Sequence, residues 1–168
     1  HPISRNKKID KYLMIVVCAE RHGLIVNMSR LMNFGKLPKS LKEKAEAVKK
    51  IDAAFINNTR VNKTADEVFR KSIKAYGKYG YPDEWKNHHQ GGATGYETRD
   101  YIANKDTAEV IQQNQAFAWN PSIKGVKSED TILVKEGKNE IISYDPKWPG
   151  EELECCGRKV YRPDIMIR

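Results

Sequence analysis

The chain has 168 residues, 39% hydrophobic and 31% charged, with a formal net charge of +8. That is enough for one domain with a sizeable core. No apolar run approaches the roughly 20 residues of a membrane-spanning helix and no secretory signal is visible, so a soluble globular protein without a membrane partner is expected. Three cysteines, two of them adjacent at Cys155 and Cys156, form no disulfide framework, and no second C-x-x-C or nearby histidine completes a zinc set. A cytoplasmic, reducing setting is therefore expected. The chain opens on His1 and not on methionine, which reads as a piece excised from a longer polypeptide.

The charge is uneven. Residues 1 to 80 carry 18 basic and 7 acidic side chains, +11, and residues 81 to 168 carry −3. The lysines Lys39, Lys42, Lys44, Lys49 and Lys50 alternate with Glu43 and Glu46 along one segment, the pattern of a solvated helix face, so no nucleic-acid partner is expected.

Tyr12 to Ala19, Y-L-M-I-V-V-C-A, is continuously apolar and predicts a strand buried on both faces. Gly23 to Phe34 alternates and predicts a second strand, joined to the first by the turn Glu20 to His22. Pro38 to Phe55 reads as a helix with Ser40 as N-cap, its stripe being Leu41, Ala45, Val48, Ile51 and Phe55. A second helix starts after Thr64, which with Glu67 matches a capping box. It carries Val68, Phe69, Ile73 and Tyr76 on one side and stops at Gly77 and Gly80. Phe117 to Ile123, Asp130 to Val134 and Ile141 to Tyr144 read as strands, the last two joined by the turn 136–140. Asp145 to Gly150 reads as a loop, and Val160 to Ile167 as a short terminal strand or arm. Two strands, two helices and then several strands predict an α+β fold with an antiparallel sheet covered on one side by helices.

The segment W-K-N-H-H-Q-G-G-A-T-G-Y-E-T-R-D-Y, Trp85 to Tyr101, concentrates chemistry. Gly91, Gly92 and Gly95 permit close backbone approach, and His88, His89, Glu97, Arg99 and Asp100 supply donors, acceptors and charge. It reads as a site, against the plainer alternative of a glycine turn with solvated flanks.

The order of elements, together with N-M-S-R at 27–30, F-G-K-L-P, G-G-A-T-G at 91–95, N-P-S-I at 120–123 and E-D-T-I-L-V at 129–134, resembles the pita-bread family of prolidase, aminopeptidase P, methionine aminopeptidase and creatinase. The resemblance covers most of the chain. It implies a curved, mostly antiparallel sheet covered by helices, here one truncated catalytic-type domain over 1–168 that lacks the family's first helices. It also implies classification with the Xaa-Pro peptidases, and a homodimer, since family members often dimerise.

In that family five side chains hold two divalent ions, manganese, cobalt or zinc, which activate a water. Carried across, the first aspartate falls near Val16, the second at Asn27, the histidine at Gly92, the first glutamate at Asn120 and the second at Glu129. Only Glu129 keeps its carboxylate, so the dinuclear centre is expected to be lost and no cofactor is expected. A single ion held by His88 or His89 with Glu129 and another carboxylate is an alternative. Arg99 stands where the family carries a second histidine. Its guanidinium suits a peptide-like or small carboxylate ligand, with Gln90 and Asn120 as neutral partners, or else it pairs internally with Glu129 or Glu97. The resemblance to creatinase also makes His88 and His89 candidate catalytic bases for metal-free amide hydrolysis, although the creatinase pattern itself is not reproduced. As neighbours on a strand, only one of the two would enter a given pocket.

Overall fold

A computed structural model of the protein describes residue 6 and residues 8–168; His1, on which the expectation of a preceding segment rests, lies outside them. The elements run β1 (Tyr12–Arg21), β2 (Leu24–Asn33), α1 (Lys39–Asn58), α2 (Ala65–Lys78), a 3-10 turn (Glu84–Asn87), β3 (Gly91–Thr94), β4 (Tyr101–Ile102), β5 (Ala116–Trp119), β6 (Ser122–Ile123), β7 (Val126–Lys127), β8 (Asp130–Leu133), β9 (Glu140–Ile141), β10 (Gly150–Cys155), β11 (Arg158–Pro163) and β12 (Met166–Ile167). The central sheet has strand order β4-β3-β5-β8-β9, and β1-β2-β12 forms a second sheet. A bridge between Ser29 and Glu129 joins the two. Among the described residues every strand pairing is antiparallel except β12 beside β2, so the α+β expectation holds.

The core lies between the central sheet and the helices. Phe55 of α1 packs on Trp119 of β5 with ring centroids 4.9 Å apart, and the Trp119 indole donates to Thr59 Oγ1 at 2.8 Å. Phe117, Ile132, Ile51 and Tyr76 are fully buried around them. Apolar burial of this kind is the main stabilising term, worth roughly 1.5–3 kcal/mol for each large side chain.

Several local expectations are corrected. β1 is not buried on both faces: it is the edge strand of its sheet, and Val16 is 53% exposed. Ser40 does not cap α1, because the helix starts at Lys39 and the Pro38 carbonyl already accepts from Leu41 and Lys42. Thr64 is the N-cap of α2, but its hydroxyl turns to Asp66 and makes no capping box. The free amides of Ala65 and Asp66 are instead taken by the carbonyls of Glu109 and Thr107 at 3.0 and 2.9 Å. Gly77 does not stop the helix. Gly80, at φ +88°, does so, in a Schellman arrangement with Tyr81 N–H on the Tyr76 carbonyl at 2.8 Å.

The long strand expected over 117–123 breaks at Pro121, which has no N–H to continue a ladder. The strand expected over 141–144 shrinks to β9, which still closes the expected hairpin with β8. The C-terminal arm is two strands, β11 and β12, and β11 forms a hairpin with β10, which the sequence pattern did not disclose. Lys49 is not on the solvated face; it is 2% exposed and bound by Glu46, Glu151 and Asp164.

Candidate functional site

The register of the strands decides which side chains can meet. Val16 lies opposite Ser29, Ser29 bridges Glu129, and Trp119 lies opposite both Asp130 and Gly91. One step further along the ladder sets Glu129 against Asn120, whose amide donates to the Gln90 carbonyl at 3.0 Å. The row therefore reads Val16, Ser29, Glu129, Asn120, Gln90. The next row on the same face reads Cys18, Asn27, Thr131, Ala118, Gly92. Because opposed residues share a face and alternate residues return to it, positions 16, 27, 92, 120 and 129 all belong to one face of the sheet. Trp119 and Phe117 occupy the other, against the helices.

Glu129 is 2% exposed and fully engaged. Ser29 Oγ donates to one carboxylate oxygen at 2.6 Å and Arg99 to the other at 2.7 Å. The Arg99 side chain is 11% exposed, so this is a nearly dry ion pair, with a second Arg99 nitrogen on the Thr98 carbonyl. Of the two roles open to Arg99, ligand binding and an internal ion pair, the internal pair is present, and it is made with Glu129 and not with Glu97. Glu97 is exposed, its carbonyl accepting from Thr94 Oγ1 and its N–H donating to Asp100.

Asn27 is fully buried. Its side-chain amide donates to Thr94 Oγ1 at 2.8 Å, and its backbone N–H and carbonyl both bond to the Thr131 hydroxyl. Asn27 Oδ1, Asn120 Oδ1 and Arg99 Nε are buried without a hydrogen-bond partner among the described residues. Two are acceptors and one is a donor, so a ligand reaching all three would present both a donor and an acceptor.

Gln90 sits at the end of the first row with its polar atoms committed inward. Tyr76 donates to its Oε1 at 2.7 Å, and its Nε2 donates to the carbonyls of Trp85 and His88. His88 and His89 precede the strand, which starts at Gly91, so strand alternation does not separate them. Their rings stack at 4.3 Å. His88 Nδ1 lies 2.5 Å from the His89 carbonyl, and His89 Nδ1 accepts from the Gly91 amide at 3.2 Å. Burial lowers the pKa of both, and Lys127 and Arg99 add repulsion; the His89 value falls to about 4. Both shifts favour the neutral imidazole.

Two divalent ions do not fit the donors present. Val16 offers no donor, and Asn27 and Asn120 offer only neutral carbonyl oxygens. At Gly92 a Cβ would stand 2.1 Å from the Tyr101 carbonyl oxygen and 2.9 Å from the Ala103 nitrogen, so backbone fills the place of a ligating side chain. The Arg99 cation already neutralises Glu129. The one acidic trio whose oxygens converge among the described residues, Glu46, Glu151 and Asp164, holds the Lys49 ammonium.

Behind the site, on the helix side, runs a network that the sequence reading missed. Arg30 bonds Asp130 at 2.7 Å, and Arg162, fully buried, bonds Asp130 at 2.8 Å and Asp52 at 2.6 Å. Ser143 and Ser128 complete it. Burial pushes the Asp52 carboxyl up to about 7, against the pull of Arg162. The signal available in sequence was the alternation in E-D-T-I-L-V, which sends Glu129 and Thr131 to one face and Asp130 to the other.

The hairpin, the helix pair and the sheet with its row of polar positions define a pita-bread domain. The model of metallopeptidase family M24 matches residues 1–136, and the chain belongs to that family. No curated protein matches it. Among solved structures, a dipeptidase from Pyrococcus horikoshii superposes with TM-score 0.73 at 23% identity, covering 82% of this chain and 41% of its own. An X-Pro aminopeptidase from Thermotoga maritima gives 0.74 at 15%, covering 94% and 42%. The N-terminal domain of the FACT complex subunit SPT16 from chickpea gives 0.66 at 15%, covering 79% and 35%. The chain thus spans about two fifths of the length of the peptidases it resembles.

Proposed function

We propose that this chain is an M24-family domain that no longer carries out dinuclear metal hydrolysis and that binds a peptide-like or small carboxylate ligand on the face lined by Asn27, Arg99, Asn120 and Glu129. The observation that carries the loss of the metal pair is the Arg99–Glu129 ion pair at 2.7 Å, a cation standing against the one carboxylate that remains of the five metal positions. Arg99 Nε fits a carboxylate or carbonyl oxygen, and the unpartnered oxygens of Asn27 and Asn120 fit an amine or amide N–H. The role is then binding or regulation without a cofactor. The likeness to a domain named as a complex subunit accords with such a role. The same reading takes the ligand and not a nucleic acid or a membrane as partner, a homodimer as assembly and the cytoplasm as location. No helix among the described residues is long and apolar enough to cross a membrane.

Thermal shift against Xaa-Pro dipeptides and small carboxylic acids tests it. A ligand at 100 times its Kd adds about 2.7 kcal/mol to stability, a shift that should disappear in Arg99→Met. No shift with any of these ligands, or an equal shift in the variant, contradicts the proposal.

A second reading rests on the neutral, stacked histidines. With Nδ1–H of His88 donating to the His89 carbonyl, its Nε2 keeps a lone pair, and a metal-free amide hydrolysis with His88 or His89 as base follows. Dipeptide cleavage that survives chelation and is lost in His88→Ala or His89→Ala would establish it. An intact Xaa-Pro metallopeptidase, the third reading, requires ion binding that the donor set does not favour.

A further inference from the structure

The adjacent cysteines lie away from the site, at the tip of the β10–β11 hairpin. Neighbouring residues on a strand direct their side chains to opposite faces, yet the sulfurs of Cys155 and Cys156 are 3.5 Å apart. The turn brings them together. Cys155 closes β10 opposite Arg158, while Cys156 and Gly157 have φ of +54° and +70°, the two left-handed residues of a two-residue hairpin. Asparagine or aspartate is the usual residue at the first of these positions, and a side chain without a short polar group is uncommon there. A backbone position that disfavours cysteine and nevertheless holds one, with its sulfur against a second thiol, points to use of the pair.

The tip is braced and accessible. Buried Asn57 of α1 donates to the carbonyls of Cys155 and Arg158 at 2.9 and 3.2 Å, pinning the end of the hairpin to the helix. Arg60 and Arg158 converge on the Gly137 carbonyl beside it. Cys156 is exposed and Cys155 half-buried, and both are free thiols.

Geometry separates the two uses open to such a pair. A disulfide needs Cα atoms about 4.4–6.8 Å apart, whereas neighbours across a trans peptide are held at about 3.8 Å, so the bond would be strained. Chelation carries no such demand. Two sulfurs bound to one centre at about 2.3 Å, with angles of roughly 95–109°, stand roughly 3.4–3.8 Å apart, and 3.5 Å lies within that span. We infer that Cys155 and Cys156 form a two-thiol chelating site for a thiophilic trivalent metalloid of the arsenite type. With an organoarsenic(III) oxide the arsenic–oxygen bond is replaced by two arsenic–sulfur bonds. The oxygen leaves as water with the two thiol protons, and arsenic stays trivalent.

The test is titration of the full chain, kept reduced with a phosphine, with phenylarsine oxide, read by native mass spectrometry. One adduct per chain with loss of one water is expected for the wild type and for Cys18→Ser. Half-saturation should need at least ten-fold more reagent in Cys155→Ser and in Cys156→Ser, both conservative changes at an accessible turn. It should also need ten-fold more for the urea-unfolded wild type, where the turn no longer holds the sulfurs together. Absence of an adduct on the native chain, undiminished binding in either serine variant, or equal affinity of folded and unfolded chains would each overturn the inference.

Discussion

Gly92→Ala should be among the most damaging single-methyl additions in the chain. Gly92 pairs with Ala118 on one side and Ile102 on the other. Its added Cβ would lie 2.1 Å from the Tyr101 carbonyl oxygen, which belongs to backbone and cannot rotate away. Relief requires β4 to move off β3, with loss of the bonds from Ala103 N to Gly91 O and from Asp100 N to Ala93 O, both 2.9 Å. Overpacking of a tight interior costs about 1–3 kcal/mol, and the two bonds add about 1 kcal/mol each. The expected loss is therefore about 3–5 kcal/mol. At about 2–4 °C per kcal/mol for a chain of this size, Tm falls by roughly 6–20 °C. Urea unfolding followed by tryptophan fluorescence reads it, since buried Trp119 faces Gly91. Gly77→Ala is the control: nothing lies within 4 Å of its Cβ, and a helical glycine replaced by alanine gains about 0.5–1 kcal/mol. Gly92→Ala and Gly92→His variants within 0.5 kcal/mol of wild type would refute the argument that backbone occupies the place of the family's ligating histidine.

Arg99→Met leaves Glu129 buried with Ser29 alone, and denaturant unfolding should show a loss of about 2–4 kcal/mol, near the cost of breaking a buried pair. Tyr76→Phe strands Gln90 Oε1 and the Ser122 amide, which now share the phenol at 2.7 and 3.0 Å, and should lose about 1–3 kcal/mol in the same assay. Asp52 gives a pH signature. Its carboxyl is raised to about 7 in the fold, so between pH 4 and 7 the folded state holds a proton that the unfolded state has released. Its stabilising contribution is full at the acid end and lost as pH rises through 7. Wild type should therefore gain on Asp52→Asn as pH falls, by up to about 1.4 kcal/mol per unit; unfolding titrations of the pair over pH 5–8 check the sign.

What was legible in the sequence was whatever follows a period or a motif. The β1–β2 hairpin and both helices lay where apolar spacing put them, and E-D-T-I-L-V fixed β8. The glycine-rich segment was recognisable as a place of close approach, and Gly92 against Tyr101 bears that out. What escaped depended on tertiary partners. The loop at 107–109 satisfies the α2 N-terminus, so the capping box went unused. Lys49 was indistinguishable from its exposed neighbours until Glu151 and Asp164, about a hundred residues later, enclosed it. The Asp52–Arg162–Asp130–Arg30 network joins four separate segments, and no local pattern announces it. Where His88 and His89 sit turned on a strand boundary two residues away, the least certain feature of any sequence reading.

By the function proposed above, the polar face holds no pair of metal ions. Metal content of the purified full chain, measured together with Xaa-Pro dipeptide hydrolysis in the presence of manganese or cobalt and of a chelator, tests it most directly. Less than one tightly held divalent ion per chain and no chelator-sensitive cleavage are expected. Two ions per chain with cleavage that a chelator abolishes would contradict it.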